Sequence, residues 1–76
     1  MPDSFSNTVG ATVRAEMARR RVTQRQIAEA LGLSQTQISR RLAGEVAFNV
    51  DELAVVADFL GVAISTLVVS APASAA

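Results

Sequence analysis

A chain of 76 residues without cysteine, histidine, tyrosine or tryptophan predicts one small domain and excludes disulfides, zinc fingers and a histidine general base. A net charge of zero does not favour nucleic acid, but all seven arginines fall within residues 14–41, which carry +5, whereas residues 42–76 carry −4. No apolar run approaches the ~20 residues of a membrane span and the N-terminus lacks the pattern of a secretory signal, so we expect a cytoplasmic protein with no membrane partner.

The first helix is predicted over about 8–20, after a flexible leader of residues 1–7. Its buried face is marked by apolar residues at i, i+4 spacing: Phe5, Val9, Val13 and Met17. Gly10 is expected only to weaken this helix slightly. The arginines at 19–21 place positive charge at its C-terminal end, where the helix dipole favours cations.

Two short helices joined by a tight turn are predicted next, over about 24–31 and 35–42. Thr23 and Ser34 are their N-cap candidates, and Gly32 suits the left-handed conformation that ends a helix. Both helices have an apolar face, formed by Ile27, Ala28, Leu31, Ile38 and Leu42. The other face of the second helix carries amides, hydroxyls and guanidinium groups, which are suited to base edges and phosphates.

A fourth helix is predicted after a loop in which Phe48 turns towards the core. Asn49 caps it and Glu52 completes a capping box. Its buried stripe is formed by Leu53, Val56, Ala57 and Leu60. Gly61 is expected to end it in the left-handed conformation.

A short fifth helix is predicted over about 64–69, and no segment has the pattern of a strand. Residues 70–76 are small and low in complexity, so we expect a disordered tail or the start of a linker. The expected fold is therefore all-α, with five helices around one core in a domain covering residues 8–69.

The segment from Thr23 to Gly44 resembles the helix-turn-helix of the phage repressor and Cro family, the lambda-repressor-like DNA-binding domain. The resemblance rests on ten spaced positions: Gln24, Ile27, Ala28, Leu31, Gly32, Leu33, Ser34, Gln35, Ile38 and Gly44. It extends to the flanking helices, over roughly residues 8–69. It implies a compact five-helix domain whose helices 2 and 3 form the motif, with helix 3 in the major groove of double-stranded DNA.

The resemblance assigns base reading to Gln35, Thr36 and Arg40. A glutamine pairs bidentately with adenine, a threonine methyl packs on the thymine methyl, and an arginine forks onto guanine. Contacts to a base or a phosphate are implied for Gln37, Ser39 and Arg41. Outside such a motif, polar residues on an exposed helix face are usually only solvated.

Phosphate contacts are implied at the start of helix 2, where Gln24 is the main candidate and Thr23 and Arg25 are secondary ones.

At two positions the sequence departs from the family pattern. Many members have a buried arginine–glutamate pair where this chain has Met17 and Leu42, and we expect these two side chains to touch in the core. Arg41 replaces an apolar residue, so either helix 3 rolls slightly or the Arg41 stem covers the core and its head reaches a phosphate.

The favoured function is a sequence-specific DNA-binding transcription regulator, a phage repressor or Cro-like protein that binds an operator. The same fold serves antitoxins, restriction-modification controllers and the DNA-binding halves of larger repressors. A protein-interaction module is an alternative from another class, favoured by the zero net charge.

No nucleophile–base pair or metal cluster is visible, so we expect no enzyme activity, cofactor or small-molecule substrate. A homodimer through Leu67, Val68 and Val69 is possible, although these residues would equally complete the monomer core.

Overall fold

The computed structural model describes residues 4–68, with side chains from residue 7 onward. This part of the chain contains five helices and no strand: α1 (Ser4–Arg20), α2 (Gln24–Leu31), α3 (Gln35–Leu42), α4 (Val50–Leu60) and α5 (Ile64–Leu67). The predicted all-α fold is confirmed, and α2 and α3 have the predicted bounds. The tail predicted for residues 70–76 lies outside the described residues.

Helix α1 begins at Ser4, so the predicted start of this helix at about residue 8 was wrong. A tertiary contact is formed by the part of the helix that precedes the predicted start. Asn7 packs so closely on the turn after α3 that a Cβ at Gly44 would lie 2.8 Å from the Asn7 Cα. Residues 1–3 and the side chain of Phe5, expected on the buried face, lie outside the described part of the chain.

Three successive helices begin with a capping box, in which the N-cap side chain and the side chain three residues later each accept the other's backbone N–H. The pairs are Thr23 with Gln26, Ser34 with Gln37, and Asn49 with Glu52. The six hydrogen bonds measure 2.7–3.1 Å. Each N-cap is worth about 1 kcal/mol of stability. The predicted N-caps are confirmed. The sequence patterns T-x-x-Q and S-x-x-Q also indicate that Gln26 and Gln37 complete the two capping boxes.

Helices α1, α2 and α4 end in the same hydrogen-bonded turn, with one residue in the left-handed conformation. That residue is Gly32 after α2 (φ 70°), Gly61 after α4 (φ 74°) and Arg21 after α1 (φ 56°). In each turn the next residue donates its N–H at 2.9 Å to the helix and packs an apolar side chain against the core: Val22, Leu33 and Val62. Arginine in this conformation costs roughly 1 kcal/mol relative to glycine, because its Cβ crowds the backbone.

One hydrophobic core receives side chains from all five helices and from the loop before α4. Its members are Val9, Val13, Met17, Ile27, Ala28, Ile38, Leu42, Phe48, Leu53, Val56, Ala57, Leu60 and Leu67. The predicted burial of Phe48 and of the α4 stripe is confirmed. Met17 and Leu42 both lie in this core, as expected for a pair that replaces buried charges.

Helix α5 is shorter than predicted, because the described helix ends at Leu67. Leu67 is 0% exposed and completes the core of the monomer. It therefore offers no surface to a second copy, and of the two roles left open for Leu67, a homodimer patch or the monomer core, the structure shows the second. Val68 is half-buried against the same core, and Val69 lies outside the described residues.

The position of α3 depends on a close crossing with α1. A Cβ at Gly10 would lie 3.0 Å from the carbonyl oxygen of Arg41 and closer still to that of Leu42. One turn further along α1, Arg14 donates a hydrogen bond to the Leu42 carbonyl. Gly10 thus allows α1 to approach the C-terminal end of α3. The sequence predicted only a slight weakening of the helix at Gly10 and did not predict this contact.

Candidate nucleic-acid interface

Helix α3 is divided into a buried face and a polar, exposed face. Ile38 and Leu42 lie in the core. The predicted base readers, Gln35, Thr36 and Arg40, are all exposed. Because helices repeat every 3.6 residues, the two faces follow directly from the order of residues in the sequence.

A surface depression brings the beginning of α2 and the exposed face of α3 together. It is lined by Gln24, Gln35, Thr36, Ser39 and Arg40. The lining contains amides, hydroxyls and one guanidinium group, with no carboxylate. The structure therefore collects the main phosphate candidate, all three predicted base readers and the flanking serine on one surface.

Two further predicted contacts, Thr23 and Gln37, are occupied in starting the helices. The Thr23 hydroxyl accepts the N–H of Gln26 at 3.1 Å, and Gln37 Oε1 accepts the N–H of Ser34 at 2.9 Å. Both side chains remain exposed, but these oxygen atoms are held by the protein backbone. These two hydrogen bonds fix the start of α2 and of α3.

The guanidinium group of Arg41 does not lie on the exposed face of α3. Its side chain is 17% exposed, its Nε donates to Glu52 Oε1 at 3.0 Å, and its Nη1 donates to the Gln37 carbonyl at 3.2 Å. The stem lies over the protein as one sequence-based alternative expected, but the partner is a carboxylate of α4 rather than a phosphate. We therefore do not retain the base or phosphate role predicted for Arg41. The sequence pattern indicates only a capping role for Glu52, because its pairing with Arg41 depends on the contact between two different helices.

Four of the seven arginines are bound within the protein. Arg14 binds the Leu42 carbonyl and Arg41 binds Glu52. Arg19 and Arg20 both bind Glu16, a residue only 7% exposed that the sequence-based reasoning did not single out. Their i, i+3 and i, i+4 spacing on one helix was the available signal.

The side chains of the remaining arginines, Arg21, Arg25 and Arg40, form no internal ion pair or hydrogen bond among the described residues. All three are exposed. They lie after α1, in the first turn of α2 and on the outer face of α3. Of the three, Arg40 lines the polar depression, whereas Arg21 and Arg25 lie close to Gln24 along the chain.

A family model for the helix-turn-helix matches residues 13–67, most of the chain. This protein belongs to the Cro/C1-type helix-turn-helix family. Helices α2 and α3 form its helix-turn-helix, and the protein is a DNA-binding regulator of the Cro/C1 type. Comparisons with curated proteins and with solved structures gave no significant match. Within residues 4–68, no helix is both long and apolar enough to cross a membrane.

In this Cro/C1-type protein, Glu52 connects the helix-turn-helix to α4. Its Oε1 accepts both the Asn49 N–H and the Arg41 Nε–H, each at 3.0 Å. We expect Glu52→Ala to lower the free energy of unfolding by about 2 kcal/mol, because the cap and a half-buried ion pair are lost together. Urea unfolding measures this change.

Glu52→Gln is the matched control, because glutamine keeps the capping box but cannot form the ion pair. It should lose about half as much stability as the alanine variant. Wild-type stability in both variants would show that neither interaction stabilises the protein in solution.

Proposed function

We propose that this chain is a sequence-specific regulator of transcription, a phage repressor or Cro-like protein that reads an operator with α3 in the major groove. The observation that carries this proposal is the polar depression. There Gln24 of α2 lies beside Gln35, Thr36, Ser39 and Arg40 of α3, with no carboxylate in the lining. A surface of this composition matches base edges flanked by phosphates.

The proposed roles follow from the hydrogen-bonding capacity of each side chain. Gln35 pairs with adenine, the Thr36 methyl packs on thymine, and Arg40 forks onto guanine. Gln24 binds a phosphate with help from the backbone N–H groups at the start of α2, and Arg25 adds a cation beside it. The protein acts by binding alone, in the bacterial cytoplasm or nucleoid where the operator lies.

Two copies on a two-fold operator are the arrangement that suits this motif. Since Leu67 is buried, we propose that the second copy contacts three of the large apolar side chains that α4 and α5 leave exposed, Val55, Phe59 and Ile64. Phe59, at 45% exposure, is the largest of them. A preferred site with two inverted halves supports this arrangement, and a single unrepeated half contradicts it.

A protein-interaction module is the second candidate. It is favoured by the zero net charge and by the engagement of Arg14, Arg19, Arg20 and Arg41 within the protein. Salt dependence separates the two candidates. A DNA-binding protein releases counterions, so log K falls with log[salt] by about 0.9 for each phosphate neutralised.

We expect Gln35→Ala and Arg40→Ala each to weaken binding to the preferred duplex by about 1–3 kcal/mol and to relax the preference at one base position. The duplex is obtained by selection from a random pool, and affinities are measured at several salt concentrations. Gln24→Ala is the matched control, because the loss of a phosphate contact weakens all sequences alike and leaves the preference intact.

Retention of full affinity and of the same preferred site by both α3 variants would show that α3 is not the reading helix. A flat salt response, or no binding to any duplex at low salt, would contradict the function itself and favour the interaction module.

A further inference from the structure

Arg21 occupies a position at which this protein otherwise uses glycine. The turns after α2 and α4 have the same hydrogen bonds as the turn after α1, and their left-handed residues are Gly32 and Gly61. An arginine at φ 56° crowds its own backbone, so the side chain is kept at a cost to stability. Residues held in such conformations concentrate at functional sites.

The helix dipole does not require this third arginine. Arg19 and Arg20 already place positive charge in the last turn of α1, and their guanidinium groups bind Glu16. Arg21 has no internal ion pair or hydrogen bond from its side chain among the described residues, and it is exposed. Its charge is therefore available to a partner outside the chain.

The location of Arg21 indicates which partner. It lies three residues before Gln24, the residue of α2 that lines the polar depression. Three residues of chain span at most about 10 Å, so both side chains can reach the same stretch of a nucleic-acid backbone. Arg25 lies one residue beyond Gln24 and, like Arg21, is exposed.

We propose that Arg21 binds a backbone phosphate of the DNA, next to the phosphate bound by Gln24, and that this contact maintains an arginine where glycine would be more stable. The inference rests on the proposed function. It adds a DNA contact that the helix-turn-helix pattern does not supply, because it lies in the turn before the motif. Its chemistry is a charge-assisted hydrogen bond from guanidinium to a phosphate oxygen.

The test is Arg21→Gly, measured for both thermal stability and DNA affinity. We expect the Tm to rise by about 4–8 °C, because the crowded conformation is relieved. We expect the slope of log K against log[salt] to become shallower by about 0.9, which corresponds to about an eightfold loss of affinity at 0.1 M salt. A merely structural role would not separate these effects, since a more stable protein would bind DNA at least as well.

Three control variants separate the contributions. In Arg21→Asn the asparagine tolerates the left-handed conformation but carries no charge. This variant should therefore show the same decrease in the slope of log K against log[salt] as Arg21→Gly. Arg21→Lys keeps the charge and should keep the slope. Arg19→Gln removes an exposed arginine that is already paired with Glu16, and it should change the slope much less.

Wild-type affinity and slope in Arg21→Gly, or an equal change in Arg19→Gln, would overturn the assignment of Arg21. If Arg40→Ala loses affinity while Arg21→Gly does not, only this assignment fails and the proposed function stands. If the wild-type protein binds no duplex DNA at low salt, both fail.

Discussion

Gly10→Ala is expected to destabilise the protein by about 3 kcal/mol, although the same substitution stabilises an unobstructed helix by about 1 kcal/mol. The added Cβ would lie 3.0 Å from the Arg41 carbonyl oxygen and closer to that of Leu42. These are backbone atoms of α3, so no flexible side chain can move aside, and α1 and α3 must separate. Separation would also break the hydrogen bond from Arg14 to the Leu42 carbonyl.

Gly32→Ala is the matched control for this effect. Nothing lies within 4 Å of a Cβ at Gly32, so only the φ of +70° opposes the substitution. It should cost about 1 kcal/mol, clearly less than Gly10→Ala. Chemical unfolding of both variants gives the comparison. If Gly10→Ala is as stable as the wild-type protein or more so, α1 does not approach α3 this closely in solution.

Leu42→Glu is expected to destabilise the protein by about 3–5 kcal/mol, because it buries a carboxylate without a partner. Leu42 is 2% exposed and belongs to the same core as Met17. For so small a domain this loss approaches the whole free energy of unfolding, so the variant should be largely unfolded at 25 °C. Leu42→Met is the volume-matched control and should cost less than about 1.5 kcal/mol.

Adding Met17→Arg to Leu42→Glu should restore much of the lost stability, since the two positions would then hold a buried ion pair. A double-mutant cycle measured by urea unfolding gives the coupling energy directly. Additive effects without rescue would show that the two side chains do not meet. The register of α1 against α3 would then differ from the one that the family resemblance implies.

The candidate site could be predicted from the sequence to a large extent, because most of it is local. Gln35, Thr36, Ser39 and Arg40 share a face through helical periodicity alone, and Gln24 joins them through a turn of fixed length. Their roles in reading DNA stay predictions. The assignment of Arg41 failed because its partner, Glu52, lies 11 residues away on another helix.

The sequence alone determined the helix-turn-helix, its capped ends and the division of α3 into a polar and an apolar face. These features depend on residues within one or two turns of each other, whose spacing can be read directly. Only the tertiary structure decided which arginines remain available, that Gly10 is the point of contact between α1 and α3, and that Leu67 belongs to the core. Each of these depends on how closely distant segments approach, and that distance is set by the packing of the whole core rather than by any local pattern.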